Sequence, residues 1–282
     1  MSFCDLHTHS NYSDGTDTPA EIIEKAEKIG LSAVALTDHN TVSGLPEFLA
    51  AAEGKSIKAI AGIEISTDYF DTELHIVGLF IDPASFDSVE EFVRPMVKRK
   101  EDNNRLVIEK LRAGGYDIDF DEIKAKTADG KFNRAHIATE LTEKGYTKSI
   151  GDAFATLLAK DSVYYVANKR IPTFEAIEFL KSVGAVTVLA HPFLDLNEKE
   201  LRVFLPEAKK HGLDAMECYY SKFDEETRRL AASLADEFGI EKSGGSDYHG
   251  KRKPDISLGV GRGDLQVDEN IYKTLMQRKN IN

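Results

Sequence analysis

The sequence predicts an α/β fold, a barrel-like alternation of strands and helices broken by a helical insert, and three observations lead there. Apolar runs of strand length alternate with segments of helical period. Seven such runs are present, close to the number that closes a barrel. From about Ser88 to Lys169 the texture is almost wholly helical.

Taken in order, the first strand is Phe3–His7. A helix follows, with Thr18 as N-cap, Pro19 in the first helical position, Glu21 completing a capping box and Gly30 as terminator. Strands Ala33–Asp38 and Lys58–Glu64 come next, then Leu74–Phe80. Only about nine residues link Glu64 to Leu74, fewer than a parallel crossover needs, so these two strands should form a hairpin that brings His75 beside Glu64. Within the helical region the periodicity predicts a long amphipathic helix over Val89–Leu111 and shorter ones near Phe120–Ala125, Arg134–Lys144 and Ile150–Ala159. Thr173–Gly184 repeats the capped-helix grammar after Pro172, and strands Ala185–Ala190, Asp214–Tyr219 and Glu241–Gly245 complete the set. The expected organisation is a barrel built from residues 1–97 and 171–282, with residues 98–170 as the insert.

Composition bounds the function. The 282 residues carry 36 Lys+Arg against 48 Asp+Glu, a net charge of −12, with 41% hydrophobic and 30% charged residues. A sizeable core is affordable and disorder as the main state is excluded. The acidic balance argues against long nucleic acid as a partner, because Lys and Arg neutralising phosphates supply most of that affinity, but leaves a small anion open. No run approaches the length of a membrane span, and the start Met-Ser-Phe-Cys-Asp-Leu-His lacks a basic, then apolar, signal pattern, so a cytoplasmic protein with no membrane partner is expected. Cys4 and Cys218 make neither a disulfide framework nor a metal knuckle and are expected to be buried strand residues. Oligomeric state has no signal.

Six of the eight histidines sit at the edge of an apolar run. His7 and His9 follow strand 1 two residues apart, the spacing that puts both imidazoles on one face of an extended segment, and Asp14 returns through a Ser-Asp-Gly turn. His39 follows strand 2, Glu64 ends strand 3, His75 opens strand 4, His191 follows strand 5, and Asp247 and His249 follow strand 7. These nine metal-ligand candidates stand where barrels place active sites, at strand C-terminal ends or beside them through the hairpin. One histidine in such a place is ordinarily structural, but nine ionisable groups buried together without cations would be costly. At three to four protein ligands per ion they suit two or three divalent metals, and a mixed imidazole and carboxylate shell fits Mn, Fe or Zn without choosing among them. His211, before Gly212 at a helix C-terminus, is expected to be structural.

The His-x-His-x-x-x-Ser-Asp-Gly start, Leu-Thr-Asp-His-Asn-Thr-Val-Ser-Gly, Gly-Ile-Glu, His-Ile-Val-Gly-Leu-Phe, Ala-His-Pro and Gly-Gly-Ser-Asp-Tyr-His-Gly together resemble the polymerase and histidinol phosphatase (PHP) superfamily of metal-dependent phosphoesterases, from Asp5 to Arg262. Within it the chain is similar to the stand-alone bacterial branch with a helical insert before the Ala-His-Pro strand. The resemblance implies a distorted (β/α)7 barrel with a trinuclear centre. One metal would be held by His7, His9 and Asp247, Glu64 would bridge to a second on His75 and His191, and Asp14, His39 and His249 would hold the third. It also implies a substrate class, 3′,5′-nucleoside bisphosphates and short RNA degraded from the 5′ end.

The expected chemistry is in-line attack on phosphorus by a metal-bridging hydroxide, which places Glu64 and Asp247 at the reacting centre. His191 and His249 are candidate proton donors to the leaving group, with a metal-bound water as the alternative, and Asp38 either orients an imidazole or sits in a turn. Selectivity is expected from the insert, through Arg99 and Lys100, the Asn133-Arg134-Ala135-His136 helix start, and Lys169. Chains of the family it resembles often carry Arg-x-x-Arg-Asn early in the insert, whereas this one has Lys100-Glu101-Asp102-Asn103-Asn104, which leaves Lys100 and Asn104 as candidates. Tyr220, in Tyr219-Tyr220-Ser221 at the mouth, is a candidate to stack on a base, with packing as the alternative. The competing readings are histidinol phosphate hydrolysis, a non-catalytic metal-bound module, and metal-dependent C–N hydrolysis on a related barrel.

Overall fold

The computed structural model describes residues 2–126, 134–167 and 169–281. β1 (Cys4–Asp5) and β2 (Ala33–Leu36) pair in parallel, and β3 (Lys58–Tyr69) continues parallel to β2. β4 (Thr72–Leu79) turns back antiparallel through a hairpin. The hairpin was expected, but its connection is two residues, because β3 runs on beyond Glu64 and β4 starts before Leu74. Phe70 and Asp71 both take positive φ, 44° and 66°, the conformation of a two-residue turn that follows strand twist.

β5 (Ile171–Pro172) adds to β3 off the main path and is too short to show in sequence periodicity. β6 (Val186–Leu189), β7 (Ala215–Tyr220) and β8 (Glu241–Gly245) give the order β1-β2-β3-β4-β6-β7-β8. Leu6 N–H then donates to Gly244 O at 3.2 Å and Asp247 N–H to His7 O at 2.9 Å, so the two ends of the sheet meet in a nearly closed, barrel-like ring.

The chain separates into two compact units, Met1–Val93 with Ile171–Asn282, and Arg94–Arg170. In the first, α1 (Pro19–Lys28) carries the full Thr18 and Glu21 capping box, and α2 (Leu45–Ala51) follows β2. α3 (Phe86–Ala113) begins in this unit and ends in the second, which starts at Arg94 rather than at 98. The second unit also holds α4 (Phe120–Lys126), α5 (Arg134–Glu143) and α6 (Ile150–Ala155) around its own core, including Ile108, Leu111, Ile123, Ile137 and Leu141. α7 (Thr173–Ser182), α8 (Glu198–Lys210), α9 (Glu225–Phe238) and α10 (Glu269–Ile281) return to the first. There the core runs from Cys4, Ala33, Ile60, Val77 and Val188 on the strands to Tyr272 and Leu275 of α10. Both cysteines are buried, and among the described residues no helix is long and apolar enough to cross a membrane.

Candidate metal centre

Strand period decides which side chains meet. On β3, Ile60 packs in the core and Glu64, four residues on, keeps its facing; on β4, Val77 and Leu79 are in the core and His75 lies two residues before Val77. Because β4 is antiparallel, its start lies beside the C-terminal ends of the parallel strands. His7 and His9 follow β1 on a segment held from both sides: Thr37 N–H donates to Thr8 O at 2.9 Å and His9 N–H to Tyr248 O at 2.9 Å. Gly245 is required here, since a Cβ on it would lie 2.4 Å from His7 Cβ. Asn40, His191 and Asp247 take positive φ (55°, 29° and 57°), costly for non-glycine residues and concentrated at functional sites.

Glu64 is the hub. It is 1% exposed, and its Oε2 lies 3.2 Å from both His7 Nε2 and His9 Nε2 and 3.0 Å from His39 Nδ1. Its Oε1 lies 2.8 Å from His75 Nδ1 and 3.1 Å from His191 Nε2. Asp247 Oδ1 adds contacts to His9 Nε2 (3.4 Å) and His249 Nδ1 (3.3 Å), and Asp14 Oδ1 lies 3.1 Å from His249 Nε2 and 3.9 Å from His39 Nε2. All nine candidates therefore join one cluster. His7 and His9 are fully buried, while the side chains of His39 and Asp14, 25% and 32% exposed, mark its open side.

Burial disfavours charge on every member, and the neighbours decide the outcome. It depresses the His7 imidazole, but Glu217 and Glu64 more than reverse this and hold it well above the usual range. His9 ends at about 9 against burial, raised by Asp247 and Glu64, and His75 at about 10, raised chiefly by Glu64. His191 is raised by Asp195 and Glu64 against burial. Burial lowers His39 and His249, and His9 beside them adds to this. Against the same burial, the imidazoles hold the Glu64, Asp247 and Asp14 carboxyls below the carboxylate range.

The donor set fits divalent cations. His7 Nε2, His9 Nε2, His39 Nδ1, Asp14 Oδ1 and Glu64 Oε2 are buried, face one another and lack a hydrogen bond of acceptable geometry. Such atoms are costly unless a cation satisfies them together. Three ligand groups have donor atoms within 4.8 Å of one another: His9, Asp14, His39 and His249; His7, His9 and Glu64; and His39, Glu64 and His75.

Residues 5–178 match the model of the PHP domain. The chain belongs to the PHP domain family. It is 32% identical to a Haemophilus influenzae 5′-3′ exoribonuclease, over 87% of this chain and 89% of that one. It is 29% identical to a Chromobacterium violaceum 3′,5′-nucleoside bisphosphate phosphatase, over 88% of each. A crystal structure described as a putative metal-dependent phosphoesterase from Bifidobacterium adolescentis superposes with a TM-score of 0.79 at 28% identity, covering 98% of this chain and 96% of that one.

In this PHP chain, two expected site residues have other surroundings. Tyr220 is 1% exposed and does not stand at the rim to stack on a base: its hydroxyl donates to Asp247 Oδ2 at 2.8 Å, and its ring tilts against His191. The cause is a bulge in β7 between Glu217 and Tyr219, which breaks the alternation so that Glu217 and Tyr220 both reach candidate ligands. The Asp38 carboxylate is taken by Ser10 N–H (2.8 Å), Ser10 Oγ–H (2.6 Å) and Ser13 Oγ–H, so it braces the loop after His9 rather than touching an imidazole.

Glu217 escaped the sequence reading. Its Oε1 pairs with His7 Nδ1 at 2.8 Å and its Oε2 accepts His191 N–H at 2.6 Å, both from a 2% exposed side chain. The available signal was one acid inside the apolar run Ala215-Met-Glu-Cys-Tyr-Tyr.

The insert candidates belong to the second unit. Arg134 starts α5, but its guanidinium donates to Val166 O at 3.1 Å and lies over the Tyr165 ring. Arg99, Lys100 and Lys169 are exposed, His136 is half-buried and Asn104 is 3% exposed; Asn133 lies outside the described residues. His211 caps α8, pairs with Glu178 at 2.6 Å and stacks on Phe174.

Proposed function

We propose that this protein is a metal-dependent phosphoesterase acting on nucleotide phosphates, with 3′,5′-nucleoside bisphosphates and the 5′ ends of short oligoribonucleotides as its substrates. The observation that carries this reading is Glu64, a buried carboxylate shared by five imidazoles and flanked by Asp14 and Asp247, in a chain of the PHP family. The names of the two curated relatives support the nucleotide class.

In this proposal His7, His9 and Asp247 would hold one ion, His75 and His191 a second, with Glu64 available to both, and Asp14, His39 and His249 would hold a third. Divalent metals bound here would activate water and neutralise phosphate charge. The chain's own part is orientation: Glu217 fixes His7 and the His191 backbone, and Tyr220 fixes Asp247. The half-open side at His39 and Asp14 admits a small phosphate ester.

The test is a turnover screen of nucleoside 5′-, 3′- and 3′,5′-phosphates, short oligoribonucleotides and histidinol phosphate with Mn, Fe and Zn, alongside metal counting by mass spectrometry. Metal-dependent release of phosphate from 3′-phosphoadenosine 5′-phosphate is expected. A tenfold or greater preference for histidinol phosphate, or no phosphoester turnover by the metal-loaded protein, would overturn the reading.

A further inference from the structure

Directly after His249 comes Gly250-Lys251-Arg252-Lys253, three consecutive cations in a chain of net charge −12. Lys253 Nζ lies 2.8 Å from Asp247 Oδ2. Among the described residues it is the one Lys or Arg that pairs with any of Asp14, Glu64 and Asp247. The Asp247 carboxylate has two sides: Oδ1 faces His9 (3.4 Å) and His249 (3.3 Å), while Oδ2 takes Tyr220 O–H and Lys253.

Two features separate Lys253 from a lysine that merely neutralises Asp247. Tyr220 already supplies Oδ2 with a buried donor, so the carboxylate stays hydrogen-bonded without the lysine. An ammonium has three donors, of which Asp247 takes one, and the Lys253 side chain is 30% exposed, open to an approaching anion. Lysine binds phosphate as a point charge. We infer that Lys253 is a phosphate-binding residue, whose ammonium contacts a non-bridging oxygen of the substrate's phosphoryl group while Asp247 holds it in place. The inference rests on the phosphoesterase reading and adds a contact from the barrel unit itself.

The experiment titrates inorganic phosphate into the Mn-reconstituted full chain by calorimetry, for the wild type, Lys253→Met and Lys253→Arg, with metal content and unfolding midpoint measured on each. Removing one charge-assisted hydrogen bond should weaken phosphate about tenfold or more in Lys253→Met, at unchanged metal content, with partial recovery in Lys253→Arg. With a phosphate ester, KM should rise more than kcat falls. Wild-type phosphate affinity in Lys253→Met would overturn the assignment, and so would loss of metal in step with loss of phosphate, since the lysine would then act through Asp247. If the wild type hydrolyses phosphate esters while Lys253→Met behaves like it, only this inference fails; if the wild type neither hydrolyses them nor binds phosphate, the phosphoesterase reading fails with it.

Discussion

Glu217→Gln is a sharp perturbation of the centre, because the backbone dictates which way the new amide must face. His191 N–H can only donate, and it lies 2.6 Å from Glu217 Oε2, so the glutamine oxygen has to turn towards it. The glutamine NH2 then meets His7 Nδ1, now 2.8 Å from Oε1, and that nitrogen must become an acceptor. The His7 proton moves to Nε2, the atom 3.2 Å from Glu64 Oε2 and aimed into the cluster, where it blocks coordination. Loss of an orienting partner of a metal-bound imidazole typically costs 10–100-fold in affinity, about 1.4–2.7 kcal/mol. Glu217→Ala should behave differently: it leaves two buried donors unpaired at about 1–3 kcal/mol each, a loss of fold stability of about 2–6 kcal/mol. Competition against a chelator followed by metal counting, with urea unfolding of the metal-free proteins, separates the two. If Glu217→Gln holds metal as the wild type does, or is destabilised as far as Glu217→Ala, the tautomer argument is refuted.

Four further outcomes follow from the same geometry. His9 and His75, raised to about 9 and about 10 without metal, are protonated at pH 7.5 and must be neutral to coordinate, so metal binding should release about two protons there or more and tighten as pH rises towards 9; calorimetry in buffers of different ionisation enthalpy would contradict this by finding no proton release. The stabilisation these imidazoliums give the metal-free protein is complete below about pH 6.5 and is lost as pH rises through 9 and 10. Gly245→Ala drives a Cβ to 2.4 Å from His7 Cβ and should cost about 1–3 kcal/mol along with metal affinity, so an unchanged urea midpoint would contradict the close approach. Burial pushes both cysteine thiols up to about 12, so neither should react with a disulfide reagent at pH 8 until the chain is unfolded, when both should.

Much of the barrel was legible because its determinants are local. Apolar runs of strand length mark the strands, and the Thr18-Pro19-Glu21 capping grammar marks α1 in sequence and structure alike. The Glu64–Leu74 spacing was short enough to exclude a parallel crossover, so the β3–β4 hairpin could be inferred, although both strands run further into the link than expected and leave a two-residue turn. β5 could not be inferred, since two residues carry no period. Most of the candidate ligands were legible because they stand at the edge of an apolar run, a one-dimensional signature of a three-dimensional rim.

What the sequence by itself determined is the set of candidate donors and the end of the barrel to which they belong, since both follow from residue type and strand direction. Only the tertiary structure decided how they are wired. That Glu64 sits among five imidazoles depends on closure of the sheet between β1 and β8. That Glu217 and Tyr220 both turn to the candidate ligands depends on one bulge in β7, and Lys253 reaches Asp247 only because the chain doubles back after His249. Period and spacing describe each strand alone, whereas most of these contacts join residues tens to hundreds of positions apart, and only packing brings them to hydrogen-bond distance.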